Sequence, residues 1–298
     1  MPISKTDSTS AKTAKRFFTT TPSSKRRLFK DSYKDLHKAV RQQISKSCTH
    51  TKGHGGIKLA VARAHKAVNC YSFCARFDVK SYYESMHKPT LLRLVQDSGA
   101  SQQQLAMVID YLNQGPAKKS ETGLICGGSL SPLLAALYLR PLDTALDRLA
   151  SNKKISYCRY MDDFVIFANS RWYFKKAVRK VQQVLKQLKL ALHPKKRFIG
   201  RVKKGFSFLG YFIRPNRRLR PSATSLERLK VRSHRLYEQK ACKSRLWDYI
   251  TRWTRWLWGA LGGLVSTKGG IKRYYYYILG QLRHERDQTQ VPTTVLSA

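Results

Sequence analysis

Two short apolar runs, Ile155 to Tyr160 and Phe164 to Ala168, flank the triplet Met161-Asp162-Asp163. Runs this short, rich in aromatic and branched residues and separated by so little chain, predict a β-hairpin carrying its acids at the tip. Upstream, Tyr71, Phe73, Ala75, Phe77 and Val79 recur at every second residue, the period of a strand, and Asp78 falls at its end. A carboxylate in an apolar strand is costly unless something offsets its charge. For a lone Asp, capping a turn or pairing with Arg76 or Arg159 would be enough. Two acidic sites that each terminate a hydrophobic strand suit a different task, the binding of divalent cations when the strands lie side by side.

The rest of the chain supplies elements to hold such a pair. Ser131-Pro132 reads as a helix start, Ser as the cap and Pro at the first helical position, with Leu133, Leu134, Leu137 and Tyr138 as the buried stripe. Pro141 is expected to bend or interrupt that helix. Phe174, Val178, Val181, Leu185 and Leu188, at steps of four and three among Lys and Arg, predict an amphipathic helix. Phe206 to Phe212 reads as a strand or hairpin, and from about Leu226 the chain turns helical and basic. The order of elements predicts an α+β unit followed by an all-helical lobe.

With 58 Lys and Arg against 17 Asp and Glu, a net charge of +41 would repel itself unless a polyanion offsets it, so nucleic acid is the expected partner. The 298 residues, 42% of them hydrophobic, are enough for one enzyme-sized unit with lobes. Residues 1–27 lack apolar periodicity and read as a disordered basic leader that contacts phosphates, in preference to a transit peptide; order is expected from about Leu28. The six cysteines show no paired CxxC spacing, which points to reduced thiols and a cytoplasmic protein. No apolar run approaches the roughly 20 residues that span a bilayer, so no membrane role is expected. The loop Thr51 to Ile57 holds three glycines ahead of Lys58, Arg63 and Lys66; it could cradle a triphosphate or be an ordinary surface turn.

Magnesium prefers carboxylate and phosphate oxygens, and two such ions about 4 Å apart can stabilise the attacking and leaving oxygens of an in-line displacement. Such a transfer asks the protein mainly for positioning and charge. The basic chain and the small acidic cluster are complementary in this sense.

Arg159-Tyr-Met-Asp-Asp-Phe-Val-Ile-Phe167 resembles the Tyr-x-Asp-Asp signature of the reverse transcriptase family. In family order stand four further likenesses: Phe77-Asp-Val-Lys-Ser-Tyr-Tyr83 to the first catalytic motif, Gly127 to Leu139 to the Gly-x-x-x-Ser-Pro motif, and Leu192-His-Pro-Lys-Lys196 and Phe208-Leu-Gly-Tyr211 to the next two. The nearest resemblance is to bacterial group II intron-like and stand-alone enzymes. It implies a right-hand polymerase with fingers, palm and thumb: a reduced fingers region over 28–72, a palm with interleaved fingers elements over 73–215, and a helical, basic thumb over 216–298. It also implies an RNA-directed DNA polymerase extending a primer 3′-hydroxyl on an RNA template, in a mobile element or an antiphage system. Partners would be RNA template, DNA primer and deoxynucleoside triphosphates, with a cognate structured RNA a further candidate.

The resemblance assigns catalysis to Asp78, Asp162, Asp163 and Lys196, the lysine assisting the pyrophosphate leaving group. It assigns two Mg2+ ions, for which Mn2+ could substitute, to Asp78, Asp162, Asp163 and the Val79 carbonyl. Tyr83 stands where the family places a steric gate against a ribose 2′-hydroxyl, Gly127 lies in the nucleotide site, and Lys58 and Arg63 are looser candidates for triphosphate contacts. Cys126 replaces a family Gln that packs under the nucleotide. In the C-terminal lobe, Arg252-Trp-Thr-Arg-Trp-Leu-Trp258 could grip template and primer, or its rings could be core; Tyr274 to Tyr277 has no role beyond packing or nucleic-acid contact. No His or Cys cluster of an endonuclease follows.

Overall fold

A computed structural model describes residues 33–114 and 120–289, with side chains to residue 282. The leader expected over 1–27 lies outside the described residues. The first described helix, α1 (33–40), is followed by the Gly-rich loop, α2 (Gly56–Val68), β1 (Phe73–Asp78), a one-turn helix α3 (Tyr82–Ser85), α4 (Lys88–Gln96), α5 (Gln102–Leu112), α6 (Ser131–Tyr138) and α7 (Arg140–Ala150). The hairpin β2 (Ile155–Tyr160) and β3 (Asp163–Ala168) then leads to α8 (Arg171–Gln187) and β4 (Phe198–Arg201). A small sheet of β5 (Phe206–Phe208), β6 (Tyr211–Ile213) and β7 (Arg220–Pro221) precedes three helices, α9 (Ala223–Glu238), α10 (Lys243–Trp258) and α11 (Gly270–Thr289).

The central sheet is antiparallel throughout, in the order β2-β3-β1-β4. β3 is apolar without a break because both of its faces are covered, and alternation assigns each side chain to one of two cores. Phe164, Ile166 and Ala168 join Ala75 and Phe77 in the core beneath α4 to α8. Val165 and Phe167 join Cys74 in the core formed with α2, β5 to β7 and the C-terminal helices. The sheet is thus a wall shared by two lobes, and its strand ends carry the acids.

One local expectation changes. Ser131 does not cap α6: Leu130 is the cap residue, and the buried Ser131 hydroxyl donates to the Ile125 carbonyl and shares a hydrogen bond with the Tyr111 hydroxyl. That hydroxyl is more useful tying down a buried loop than facing an N–H at a helix end. Gly128 completes the join, since a Cβ there would lie 1.8 Å from the Tyr111 oxygen. The interruption expected at Pro141 is present: α6 ends at Tyr138, and Pro141 falls in the first turn of α7, where no N–H is missed. The Phe206 to Phe212 segment is a hairpin with Leu209 (φ 47°) and Gly210 (φ 87°) as its two turn residues, the positive pair that a right-twisted hairpin requires.

Candidate active site

β1 and β3 pair in a register that sets Asp78 opposite Asp163, with Phe77 opposite Phe164 and Arg76 opposite Val165. Arg76, Asp78, Asp163 and Val165 therefore project from one face of the sheet. Asp163 sits diagonally from Arg76, within reach of a long side chain. Arg76 uses the reach fully: Nε and Nη2 donate to the two Asp163 oxygens at 2.9 and 2.7 Å.

Asp162 occupies the two-residue turn between β2 and β3, after Met161, whose φ of 55° is a left-handed conformation that a non-glycine residue adopts at a cost. The turn is tied to β1 by the Val79 N–H, which donates to the Asp162 carbonyl at 3.3 Å. The segment 191–193 runs along the other side of the β1 end, where the His193 N–H donates to the Asp78 carbonyl and the Lys80 N–H to the Ala191 carbonyl, both at 2.8 Å. This path delivers Lys196, whose Nζ lies 3.6 Å from Asp78 Oδ1.

Charge at this point is undersupplied with cations. Burial pushes the Asp162 carboxyl up to about 6, helped by Asp78 and Asp163, against its own backbone N–H and Lys196, which favour ionisation. Among the described residues no three His, Cys, Asp or Glu side chains close on one point. With Asp163 engaged by Arg76, the donors at hand are the carboxylates of Asp78 and Asp162 and the Val79 carbonyl. That oxygen-only set suits Mg2+, which completes its shell with water and substrate phosphates. Asp163 would add an oxygen only by giving up part of its fork with Arg76.

Two cavities meet at these acids. One of about 590 Å³ is lined by Asp78, Val79, Tyr83, Cys126, Gly127, Asp162, His193 and Lys196, so most of the expected nucleotide residues share one pocket. A longer cleft of about 900 Å³ runs from Arg76, Asp78, Asp163 and Lys196 to α9 and α10, where Arg228, Arg232, Arg252, Tyr249 and Trp253 line its far wall. Lys58 and Arg63, expected near the triphosphate, are elsewhere. Lys58 donates to the Tyr211 hydroxyl and the Trp256 carbonyl and lies 5.1 Å from the centres of both rings, bridging α2 to the C-terminal lobe. Arg63 donates to the Lys46 carbonyl at 2.6 Å.

The sequence profile of the family described as Reverse transcriptase (RNA-dependent DNA polymerase) matches residues 3–213. The chain belongs to the reverse transcriptase family. Among curated proteins, the chain is 26% identical to Protein YkfC of Escherichia coli (strain K12), with 45% of each chain covered. Among solved structures it superposes with a TM-score of 0.52 on Candida albicans telomerase in complex with a TWJ fragment of telomeric RNA, at 10% identity over 91% of this chain and 48% of that one. Apo telomerase from Candida tropicalis gives 0.52 at 13% identity, over 77% of this chain and 44% of that one. The chain thus spans less than half the length of these relatives. At such identities the likeness is one of fold, and the fold is the α+β right-hand polymerase expected from the sequence.

Four residues that serve this site go unassigned by sequence alone. Arg76 and Arg159 figured only as alternative partners for the acids; Arg76 does hold Asp163, whereas Arg159 holds Asp143. His193 stood within a quoted motif without a role. His50, whose Nδ1 accepts from the Met161 N–H at 3.1 Å, carries no signal in the sequence, because that partner lies in a turn far along the chain.

Proposed function

We propose that this reverse transcriptase is an active RNA-directed DNA polymerase that extends a primer 3′-hydroxyl on an RNA template by two-metal nucleotidyl transfer. The observation that carries the reading is the meeting of Asp78, at the end of β1, with Asp162, in the adjacent turn, at the shared mouth of a nucleotide-sized pocket and a basic cleft. Asp78, Asp162 and the Val79 carbonyl would hold Mg2+, with Mn2+ able to substitute, and Asp163 would join them at the expense of Arg76. When bound, the metal would supply activation of the 3′-hydroxyl and charge neutralisation at the departing pyrophosphate.

The protein's own side chains orient the reactants. The Tyr83 ring, half-buried beside Cys126 and Gly127, forms the floor against which a ribose 2′-hydroxyl would clash. Lys196, exposed at the rim shared by both cavities, is placed to offset charge on the leaving group. Arg228, Arg232 and Arg252 face the cleft and would track the phosphates of a template–primer duplex, with 28–72 as reduced fingers, 73–215 as palm and 216–298 as thumb. The enzyme would act in the cytoplasm for a mobile element or an antiphage system, and no helix among the described residues is long and apolar enough to cross a membrane.

The deciding experiment gives the full chain Mg2+, an RNA template, a DNA primer and deoxynucleotides, beside Asp162→Asn. Wild type should extend the primer, and the variant should lose at least about 10³-fold in rate, roughly 4 kcal/mol of barrier. Equal activity of the two, or none in wild type, sinks the reading. Sequencing RNA that co-purifies with the chain then tests the proposed role and reveals any cognate structured RNA.

A further inference from the structure

The turn that carries Asp162 is gripped from outside its own hairpin. Residues 47–49 run beside β2: the Arg159 N–H donates to the Ser47 carbonyl at 2.9 Å, and the Thr49 N–H returns a bond to the Arg159 carbonyl at 2.8 Å. This brings His50 under the turn, where its Nε2 is 2.9 Å from the Pro132 carbonyl and its Nδ1 is 3.1 Å from the Met161 nitrogen. A carbonyl only accepts, so Nε2 bears the proton, and the bare Nδ1 accepts from the Met161 N–H. On the other side of the same residue, Arg159 Nη1 donates to the Met161 carbonyl at 2.8 Å. Arg159 is itself fixed, fully buried and forked onto Asp143, which also accepts from the Tyr157 hydroxyl.

We infer that His50 and Arg159 are positioning residues that clamp the N–H and the carbonyl of Met161, holding its left-handed backbone and thereby the aim of the Asp162 carboxylate. Both backbone groups of a strained residue are satisfied by side chains that reach no reactant, one from the loop before α2 and one from β2. The clamp also makes the helix-start motif at Pro132 and the Asp162 turn a single unit through one imidazole. Burial, with Arg159 nearby, holds the His50 ring down to about 4, so it stays neutral and can accept at Nδ1 throughout the working range. The Gly-rich region before α2, read from sequence as a triphosphate cradle or a surface turn, thus includes at its edge a support for the catalytic turn.

This inference rests on the polymerase reading for its consequence but not for its test. Purified full chain is compared with His50→Leu, which removes the ring's bonds to Pro132 and Met161 together with its contact to the Cys48 thiol at similar volume, and His50→Asn, whose Oδ1 can stand where Nδ1 stood and accept from Met161. Amide exchange over 160–162 is followed in metal-free protein, and Mn2+ binding is titrated by electron paramagnetic resonance without nucleic acid. His50→Leu should exchange the Met161 amide about tenfold faster and bind Mn2+ about tenfold more weakly, the usual scale for losing an orienting partner. His50→Asn should recover most of both, while exchange in β1 and β3 stays as in wild type in both variants. In primer extension the Leu variant should lose kcat with little change in KM for the nucleotide. Unchanged exchange and Mn2+ affinity in His50→Leu, or an Asn variant no better than Leu, overturns the clamp. Because those two measurements need no polymerisation, a wild type that fails to extend primers would fault the activity and leave the clamp judged on its own.

Discussion

Two acid–cation groups lie on either side of the β2–β3 turn and are built in opposite ways. Arg159 and Asp143 are 0% and 1% exposed, and the carboxylate accepts from the guanidinium at both oxygens and from Tyr157 as well. Among the described residues Asp78 is met by Lys196 at 3.6 Å, a lysine 58% exposed, and by the charge of Arg76, while Asp162 has its own N–H and more distant charges. The first group is closed and fully satisfied, as buried charge must be when it serves the scaffold. The second is held by its backbone hydrogen bonds while its carboxylates are offset weakly by neighbouring side chains. Backbone and side-chain satisfaction are thus separated at Asp162: the turn's peptide groups are paired from outside the turn, whereas among the described residues its carboxylate is met by its own N–H alone.

Breaking the closed group should cost the most stability. Asp143→Asn leaves Arg159 buried without a counter-charge, an expected loss of about 3–5 kcal/mol. By calorimetry that is a fall in Tm of roughly 10 °C; a loss under about 1 kcal/mol would erase the contrast with the open group.

Acidification attacks the closed side by another route. His50 faces Arg159, Cys48, His54 and Tyr160, and its folded value near 4 lies below the 6.5 of a free imidazole. The unfolded chain therefore takes up the proton first, so this contribution is complete above about pH 6.5 and fades as pH falls toward about 4, by at most about 3 kcal/mol. Denaturant midpoints measured across that window should drop more steeply for wild type than for His50→Asn.

On the open side, Tyr83→Ala should leave deoxynucleotide addition largely intact while lowering discrimination against ribonucleotides by about 100-fold, since the rejecting element is a clash and not a bond. Single-nucleotide incorporation kinetics read the ratio directly, and an unchanged ratio would remove Tyr83 from the gate. The smallest expected effect is on stability: Asp162→Asn relieves crowding with Asp78 and Asp163, so metal-free protein should melt about 2–4 °C higher, about 1 kcal/mol. Mg2+ should then raise the Tm of wild type more than that of the variant. A lower Tm for metal-free Asp162→Asn would mean that the carboxylate is satisfied after all.

Much of this was legible along the chain because it depends on local periodicity. The every-second-residue pattern through Phe77, the apolar runs around Met161-Asp162-Asp163 and the 3.6-residue stripe of α8 each report a backbone geometry within a few residues. The same locality explains the misreadings. Ser131 beside Pro132 matches a helix cap, and only the approach of Tyr111 and Ile125 gives its hydroxyl a better partner. Lys58 follows a glycine loop, as a phosphate-binding lysine would, yet the packing of α10 against β6 places Tyr211 and Trp256 where they capture it. The four tyrosines from Tyr274 look alike in sequence but differ in place: Tyr274 is buried against Trp253, whereas Tyr276 is 65% exposed.

Sequence alone therefore determined the family, the strands and the acids at their ends, since each is written in residue type and spacing. The tertiary structure alone decided how those acids differ. Register set Asp163 within the fork of Arg76, burial raised Asp162, and a histidine and an arginine from separate segments closed on Met161. The physical reason is that pairing and desolvation depend on which distant groups share a few ångströms of low-dielectric space, a property of the folded chain that no local pattern records.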